Sequence, residues 1–250
     1  MTDEDRAPFA GRIALVTGAS GGIGGAIARR LAAAGADVAL TYHRHPEDAE
    51  RVAADLAASG RRTATLAADL SDPAAARGLV GEVERRLGPV DVLVPNAGAG
   101  TTTRWDDVAL DAWNEALAVN LTAPFVLAQA ALPGMVGRGY GRVLFTSSVA
   151  ALTGGVIGPH YAASKAGLHG LLYFLAARVA PHGVTVNAIA PGAIGQTRIL
   201  PVDESGQPPV AIPVGRVGTP AEVADLALAM LRNGYLTSKV VTLDGGITPR

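Results

Sequence analysis

The sequence contains no cysteine. That excludes a disulfide scaffold, a thiolate metal site and a cysteine nucleophile. It has no excess of either charge: 21 Lys+Arg stand against 22 Asp+Glu, a formal net charge of −1. Such a balance draws neither nucleic acid nor an anionic membrane, and neither is expected as a partner. A repeat of roughly 20–50 residues is missing, as is any shift of composition that would split the chain in two. Residues 1–10 carry Asp3, Glu4, Asp5 and Arg6 and no apolar run. They read as a flexible N-terminal arm rather than a targeting segment, with one domain expected over residues 11–250. The most membrane-like stretch, residues 143–158, is broken by Thr146, Ser147, Ser148, Thr153 and paired glycines. It is too short and too polar to span a bilayer, so a soluble, cytoplasmic protein is expected. The five histidines are scattered, no His/Asp/Glu group has metal-ligand spacing, and no metal site is expected.

What is present is a chain 49% apolar and only 17% charged, too hydrophobic to be disordered. Short apolar runs alternate with helical patterns from end to end. Strands are expected at residues 13–17, 37–42, 63–68, 90–94, 142–146, 184–189 and 239–243. Helices are expected at 22–34, 46–59, 73–87, 105–135 (bent near Pro124), 160–179 and 220–232. Gly35 and Gly60 follow helix ends, and Pro46, Pro73 and Pro220 open helices. Uniformly apolar strands separated by helices imply a parallel sheet covered on both faces. The expected fold is α/β: a single-domain Rossmann fold with a doubly wound seven-stranded parallel sheet and helices on both faces. Residues 191–215 form the one connection too long to be a mere link. They hold Pro191, Pro201, Pro208, Pro209 and Pro213, and should be a mobile loop that closes over substrate.

Between the first strand and first helix stands Thr17-Gly18-Ala19-Ser20-Gly21-Gly22-Ile23-Gly24. Glycines there let the backbone approach a pyrophosphate, and the helix that follows offers free N–H groups and a positive dipole end. The alternative is a plain tight turn. The second strand ends in Thr41-Tyr42-His43-Arg44, with no acid to hold ribose hydroxyls. Arg44 can instead meet a 2′-phosphate, helped by the Ser20 hydroxyl, or it can simply be solvated. Tyr161 and Lys165 are four residues apart on an expected helix, so they share a face. An ammonium near a phenol should lower the phenol's pKa and make it a better proton relay.

The spacing Gly18-x3-Gly22-x-Gly24 resembles the short-chain dehydrogenase/reductase family, and other motifs follow in the same order. They are Asn96-Ala97-Gly98, Asn120, Ser147-Ser148, Tyr161-x3-Lys165 and Pro191-Gly192. The resemblance implies that Tyr161 protonates a carbonyl oxygen as hydride arrives, and that Ser148 hydrogen-bonds that oxygen. It implies that Lys165 tunes Tyr161 and holds the nicotinamide ribose, and that Asn120 positions a water linking Lys165 to solvent. Gly18, Ser20, Gly21, Gly22, Ile23, Gly24, Arg44, Asp69, Leu70, Asn96, Ala97 and Gly98 are the implied cofactor contacts. Tyr161, Lys165, Pro191, Gly192, Ile194 and Thr197 complete that set. Asp69 would meet the adenine amino group; its other possible role, a helix cap, could fall to Asp72. NADP(H) is favoured over NAD(H). The look is nearest to 3-oxoacyl-[acyl-carrier-protein] reductases, with acyl carrier protein as a possible partner and Arg138 as a possible docking residue. A dehydrogenase for a sugar, steroid or small ketone, or a non-catalytic dinucleotide-sensing regulator, are the alternatives. A homotetramer is expected, because the helices at 105–135 and 160–180 carry more apolar residues than one sheet face can cover. Leu168, Leu171, Leu172, Phe174 and Leu175 are the examples.

Overall fold

The apolar runs pair edge to edge as seven parallel strands in a computed structural model that describes residues 7–200 and 210–248. The strands are β1 (Ile13–Val16), β2 (Asp37–Tyr42), β3 (Thr63–Ala67), β4 (Val92–Val94), β5 (Gly141–Thr146), β6 (Val184–Pro191) and β7 (Val240–Leu243). Their order is β3-β2-β1-β4-β5-β6-β7. The helices are α1 (Gly22–Ala33), α2 (Pro46–Ala58), α3 (Pro73–Arg86), α4 (Leu110–Leu117), α5 (Ala123–Arg138), α6 (Ala150–Thr153), α7 (Pro159–Val179) and α8 (Pro220–Arg232).

Successive side chains on a strand face opposite ways, so each strand feeds two cores. Ala14 and Val16 of β1 join Ile27, Leu31, Val52, Leu56, Val223 and Leu231, from α1, α2 and α8. Ile13 and Leu15 join Leu79, Val83, Leu127, Leu132, Leu168 and Leu172, from α3, α5 and α7. Two helix ends carry the caps their sequence offers. Asp72 accepts from Ala74 N–H at the start of α3, and Thr219 with Glu222 forms a capping box on α8. The strand order turns back at β1, whose neighbours are β2 and β4. That reversal opens a crevice beyond the carboxyl ends of β1 and β4, where open α/β sheets bind ligands.

Several expectations change. Residues 7–10 are not a loose arm: Phe9 is buried at 1% exposure, and its N–H donates to Ala34 O at 2.9 Å. Residues 1–6 lie outside the described residues. The helix expected from residue 105 starts at Leu110, and Trp105 is 80% exposed. Its bend is a π-helical turn, Ala118–Thr122, just ahead of Pro124. The longest apolar helical stretch is therefore Leu110–Arg138, not residues 143–158. It is long and apolar enough to cross a membrane, but half of its most apolar window is buried inside the fold. The flanks of the 191–215 loop are tied down: Gly195 N–H donates to Gly218 O, and Val214 N–H to Gly245 O. Residues 201–209, with Pro201, Pro208 and Pro209, lie outside the described residues.

Candidate active site

The glycine loop is held from behind. Thr17 Oγ1 accepts from the N–H groups of Asn96 (3.0 Å) and Ala97 (3.1 Å). The Asn96 amide donates back to Thr17 O (3.0 Å) and Gly18 O (3.2 Å). Gly18 N–H donates to Thr41 Oγ1 at 3.2 Å. These bonds fix a backbone path that only glycine tolerates at two points. A Cβ on Gly18, where φ is +62°, would sit 2.8 Å from Ala97 Cα. One on Gly24 would sit 2.5 Å from both Asn96 Nδ2 and Gly18 O. Gly21, at the start of α1, has open space before it and offers no side-chain cap. The first N–H groups of α1 are thus left for an anion.

A crevice of about 820 Å³ runs from this loop to β5 and α7. Its walls include Gly18, Ser20, Gly21, Gly22, Ile23, Arg44, Asp69 and Leu70 at one end. Asn96, Ala97, Gly98, Pro191, Gly192, Ile194 and Thr197 line its middle, and Ser148, Tyr161 and Lys165 the other end. Gly24 and Asn120 stand behind the wall rather than in it. The volume, the uncapped helix start and the cradle a Cβ would fill all fit a dinucleotide. Arg44 is exposed and makes no ion pair among the described residues. Asp69 is engaged with Ser71, whose N–H (2.9 Å) and hydroxyl (2.7 Å) donate to Oδ1 and hold the carboxyl below its ordinary range. Asp72 takes the capping role, which leaves Asp69 Oδ2 toward His43 at 3.8 Å. Thr197 spends its hydroxyl on Ile194 O at 2.9 Å.

At the far end, Ser148 follows β5, and its Oγ accepts from Ala150 N–H at 3.1 Å. Tyr161 and Lys165 stand one turn apart on α7, with Nζ 5.7 Å from the phenol ring centroid. Lys165 is 3% exposed and donates to Thr146 O at 2.8 Å. Loss of hydration pulls its pKa down to about 8. Tyr161 departs from the sequence expectation: in the free protein burial pushes its pKa up, and the Ser148 hydroxyl only partly opposes this. Spacing revealed the neighbouring amine but not the dryness of the site. Gly100 lets the ring in, since a Cβ there would lie 2.7 Å from Tyr161 Cδ2.

Asn120 is fully buried on the π-helical turn and makes three hydrogen bonds to protein partners. Its Oδ1 accepts from Ala99 N–H (2.8 Å), and its Nδ2 donates to Ala99 O (2.8 Å) and Ser164 Oγ (2.9 Å). Ser164 Oγ in turn donates to Tyr161 O at 2.8 Å. The side chain is a brace joining the β4 loop to α7; both of its donors are used, and Oδ1 keeps a second lone pair that could accept from a water.

Sequence reasoning gave no role to Thr17, Thr41, Thr146, Ser164 or Gly100. The available signal was a polar residue at the end of an apolar strand, as for Thr17, Thr41 and Thr146. It also missed a group of possible metal ligands: His45, Glu47 and Asp48 meet within 4.8 Å at the start of α2. Asp48 there is already shared by Arg51 and Arg198.

Residues 12–206 match the family model described as short chain dehydrogenase. The chain is 36% identical to the 3-oxoacyl-[acyl-carrier-protein] reductase of Escherichia coli over 244 residues, 96% of this chain and 98% of that one. It is 35% identical to an L-rhamnose 1-dehydrogenase (NAD(P)(+)) of a Sphingomonas species over 245 residues, 95% and 96% of the two chains. A solved 3-oxoacyl (acyl-carrier-protein) reductase from Agrobacterium tumefaciens, with NADP bound, superposes with a TM-score of 0.90 at 35% identity, covering 98% of each chain. Fold, crevice and sequence thus agree, and the protein belongs to the short chain dehydrogenase family of oxidoreductases.

Proposed function

We propose that the protein is an NADPH-dependent carbonyl reductase that turns the ketone of a 3-oxoacyl thioester into a secondary alcohol. The observation that carries this reading is the meeting of Ser148, Tyr161 and Lys165 at the end of a crevice that starts at an uncapped glycine loop. When bound, the nicotinamide cofactor supplies the hydride that adds to the carbonyl carbon. Tyr161 gives its phenolic proton to the carbonyl oxygen as general acid. A pKa raised by burial keeps that proton in place until the reaction needs it. Ser148 donates a hydrogen bond to the same oxygen as negative charge develops there. The Lys165 ammonium, held against Thr146 O, favours the phenolate that remains. Asn120 acts behind them, fixing α7 through Ser164. Cofactor choice rests on Arg44 and on the absence of an acid at the end of β2.

Ile157 and Ile199 pack with Tyr161, and Val156, Leu200 and Val210 line the same crevice. An apolar wall suits an acyl chain and leaves the hydroxyls of a sugar without partners. Arg138, the sequence candidate for docking a carrier protein, donates to Val90 O at 2.7 Å and precedes β5. It therefore sits at the opposite end of β5 from Ser148, and the reading takes the acyl thioester itself as substrate, free or on a carrier.

The reading includes a homotetramer. Leu168 and Leu172 are core, but Phe125, Tyr173 and Phe174 are 41%, 50% and 55% exposed on α5 and α7. Sedimentation as a monomer at micromolar concentration would refute that assembly. The activity itself is tested by the loss of NADPH absorbance with acetoacetyl thioester, diketone, sugar and steroid ketones side by side. Turnover should be fastest with the thioester; a sugar turned over faster would overturn the substrate class.

A further inference from the structure

The segment after β6 crosses the whole crevice. It leaves the sheet at Ile194, which bridges to Gly218. It turns at Gln196, a non-glycine residue with φ of +57°. It then passes over the glycine loop: a Cβ on Gly22 would lie 3.4 Å from Gln196 O and 3.7 Å from Thr197 Cγ2. The next residue, Arg198, reaches the start of α2 and pairs with Asp48 Oδ2 at 2.5 Å. The one after it, Ile199, packs on the cluster of Ala150, Ile157 and Tyr161. This single stretch, residues 194–199, therefore touches the pyrophosphate end, the adenosine end and the catalytic tyrosine's surroundings.

Asp48 is the hinge of this arrangement. Its side chain is 19% exposed and is shared by Arg198 and Arg51. Both guanidiniums line the same crevice as Arg44. Among the described lining residues this end holds Arg44, Arg51 and Arg198 with the carboxylates of Asp48 and Asp69, three cations to two anions, where a cofactor's 2′-phosphate would lie. A phosphate dianion carries more charge and more acceptor oxygens than one carboxylate, so it competes for the fork of Arg198.

We propose that Arg198 is a second 2′-phosphate-reading residue, handed from Asp48 to the phosphate on binding. The handover fixes the 196–199 stretch, and with it the Ile199 wall beside Tyr161. Recognition of the phosphate and closure of the substrate wall are then one event. The inference rests on the NADPH reading above, and its test separates the two.

The probes are 2′,5′-ADP and 5′-AMP, which differ by the phosphate alone, titrated by calorimetry into wild type, Arg44→Ala, Arg198→Met and Asp48→Asn. Wild type and Arg44→Ala test the underlying reading: wild type should prefer 2′,5′-ADP, and Arg44→Ala should lose much of that preference. If wild type binds both probes equally, the NADPH reading fails and the inference falls with it. Given that preference, Arg198→Met should weaken 2′,5′-ADP about tenfold and leave 5′-AMP within about twofold. Asp48→Asn, which removes the competing carboxylate, should raise the 2′,5′-ADP preference. Equal losses for both probes in Arg198→Met, or no loss, overturn the proposal while leaving Arg44 in place. So does an Asp48→Asn variant whose preference is unchanged or lower.

Discussion

Replacing Asn120 by alanine tests how the site is held together. The side chain is fully buried and makes three hydrogen bonds, two to the backbone of Ala99 and one to Ser164 Oγ. A typical net contribution is about 1 kcal/mol per bond, with more lost where a buried partner stays unsatisfied. Ala99 is half-buried, so water can reach part of what is lost; Ser164 is fully buried. The expected cost is about 2–4 kcal/mol, including the small cavity the amide leaves. For a chain of this size that is a fall in Tm of about 4–16 °C, at about 2–4 °C per kcal/mol. The assay is thermal unfolding by circular dichroism at one fixed protein concentration, with Ser164→Ala and the double variant alongside. Ser164→Ala should cost less, and the two losses should be less than additive, because they share one bond. A fall below about 2 °C for Asn120→Ala would refute the brace.

Arg44→Asp should exchange the NADPH preference for NADH, read as the ratio of kcat/KM with the two cofactors. Gly24→Ala should abolish dinucleotide binding in a fluorescence titration, because its Cβ would fall 2.5 Å from Asn96 Nδ2 and Gly18 O. Lys165 has its pKa lowered from 10.5 to about 8 by burial, so between those values the unfolded chain binds the extra proton and stability rises with pH. Lys165→Met should therefore be the more stable protein at neutral pH, with the gap closing from about pH 8 upward in denaturant titrations.

Much of this was legible in the sequence for reasons that can be named. Gly18, Gly22 and Gly24 announced the loop because few other residues can follow that backbone. Tyr161 and Lys165 fall on one face by helical period alone, and the uniformly apolar β strands implied a sheet covered on both sides. What stayed hidden depended on the third dimension. The meeting of Arg198 with Asp48 joins residues 150 positions apart. The role of Asn120 as a brace follows from a π-helical turn, which leaves no periodic mark. Residue 105 looked like a helix start because Trp105 fits an apolar pattern, yet it faces solvent while the helix starts five residues later. Phe9 was lost in a charged arm, although its burial closes the floor of the α1 core. The direction of the Tyr161 shift was misjudged because spacing reports a neighbour's charge and says nothing of how dry the pair is.

The central claim is that Tyr161 is the proton donor in a nicotinamide-dependent carbonyl reduction. Its most direct test is single-turnover oxidation of bound NADPH by an acetoacetyl thioester, in wild type and in Tyr161→Phe. The account predicts that the variant binds NADPH within about twofold of wild type while its chemical step slows by roughly a thousandfold or more, as loss of a positioned general acid does when a second effect depends on it. A variant that still oxidised NADPH at close to the wild-type rate would contradict the account.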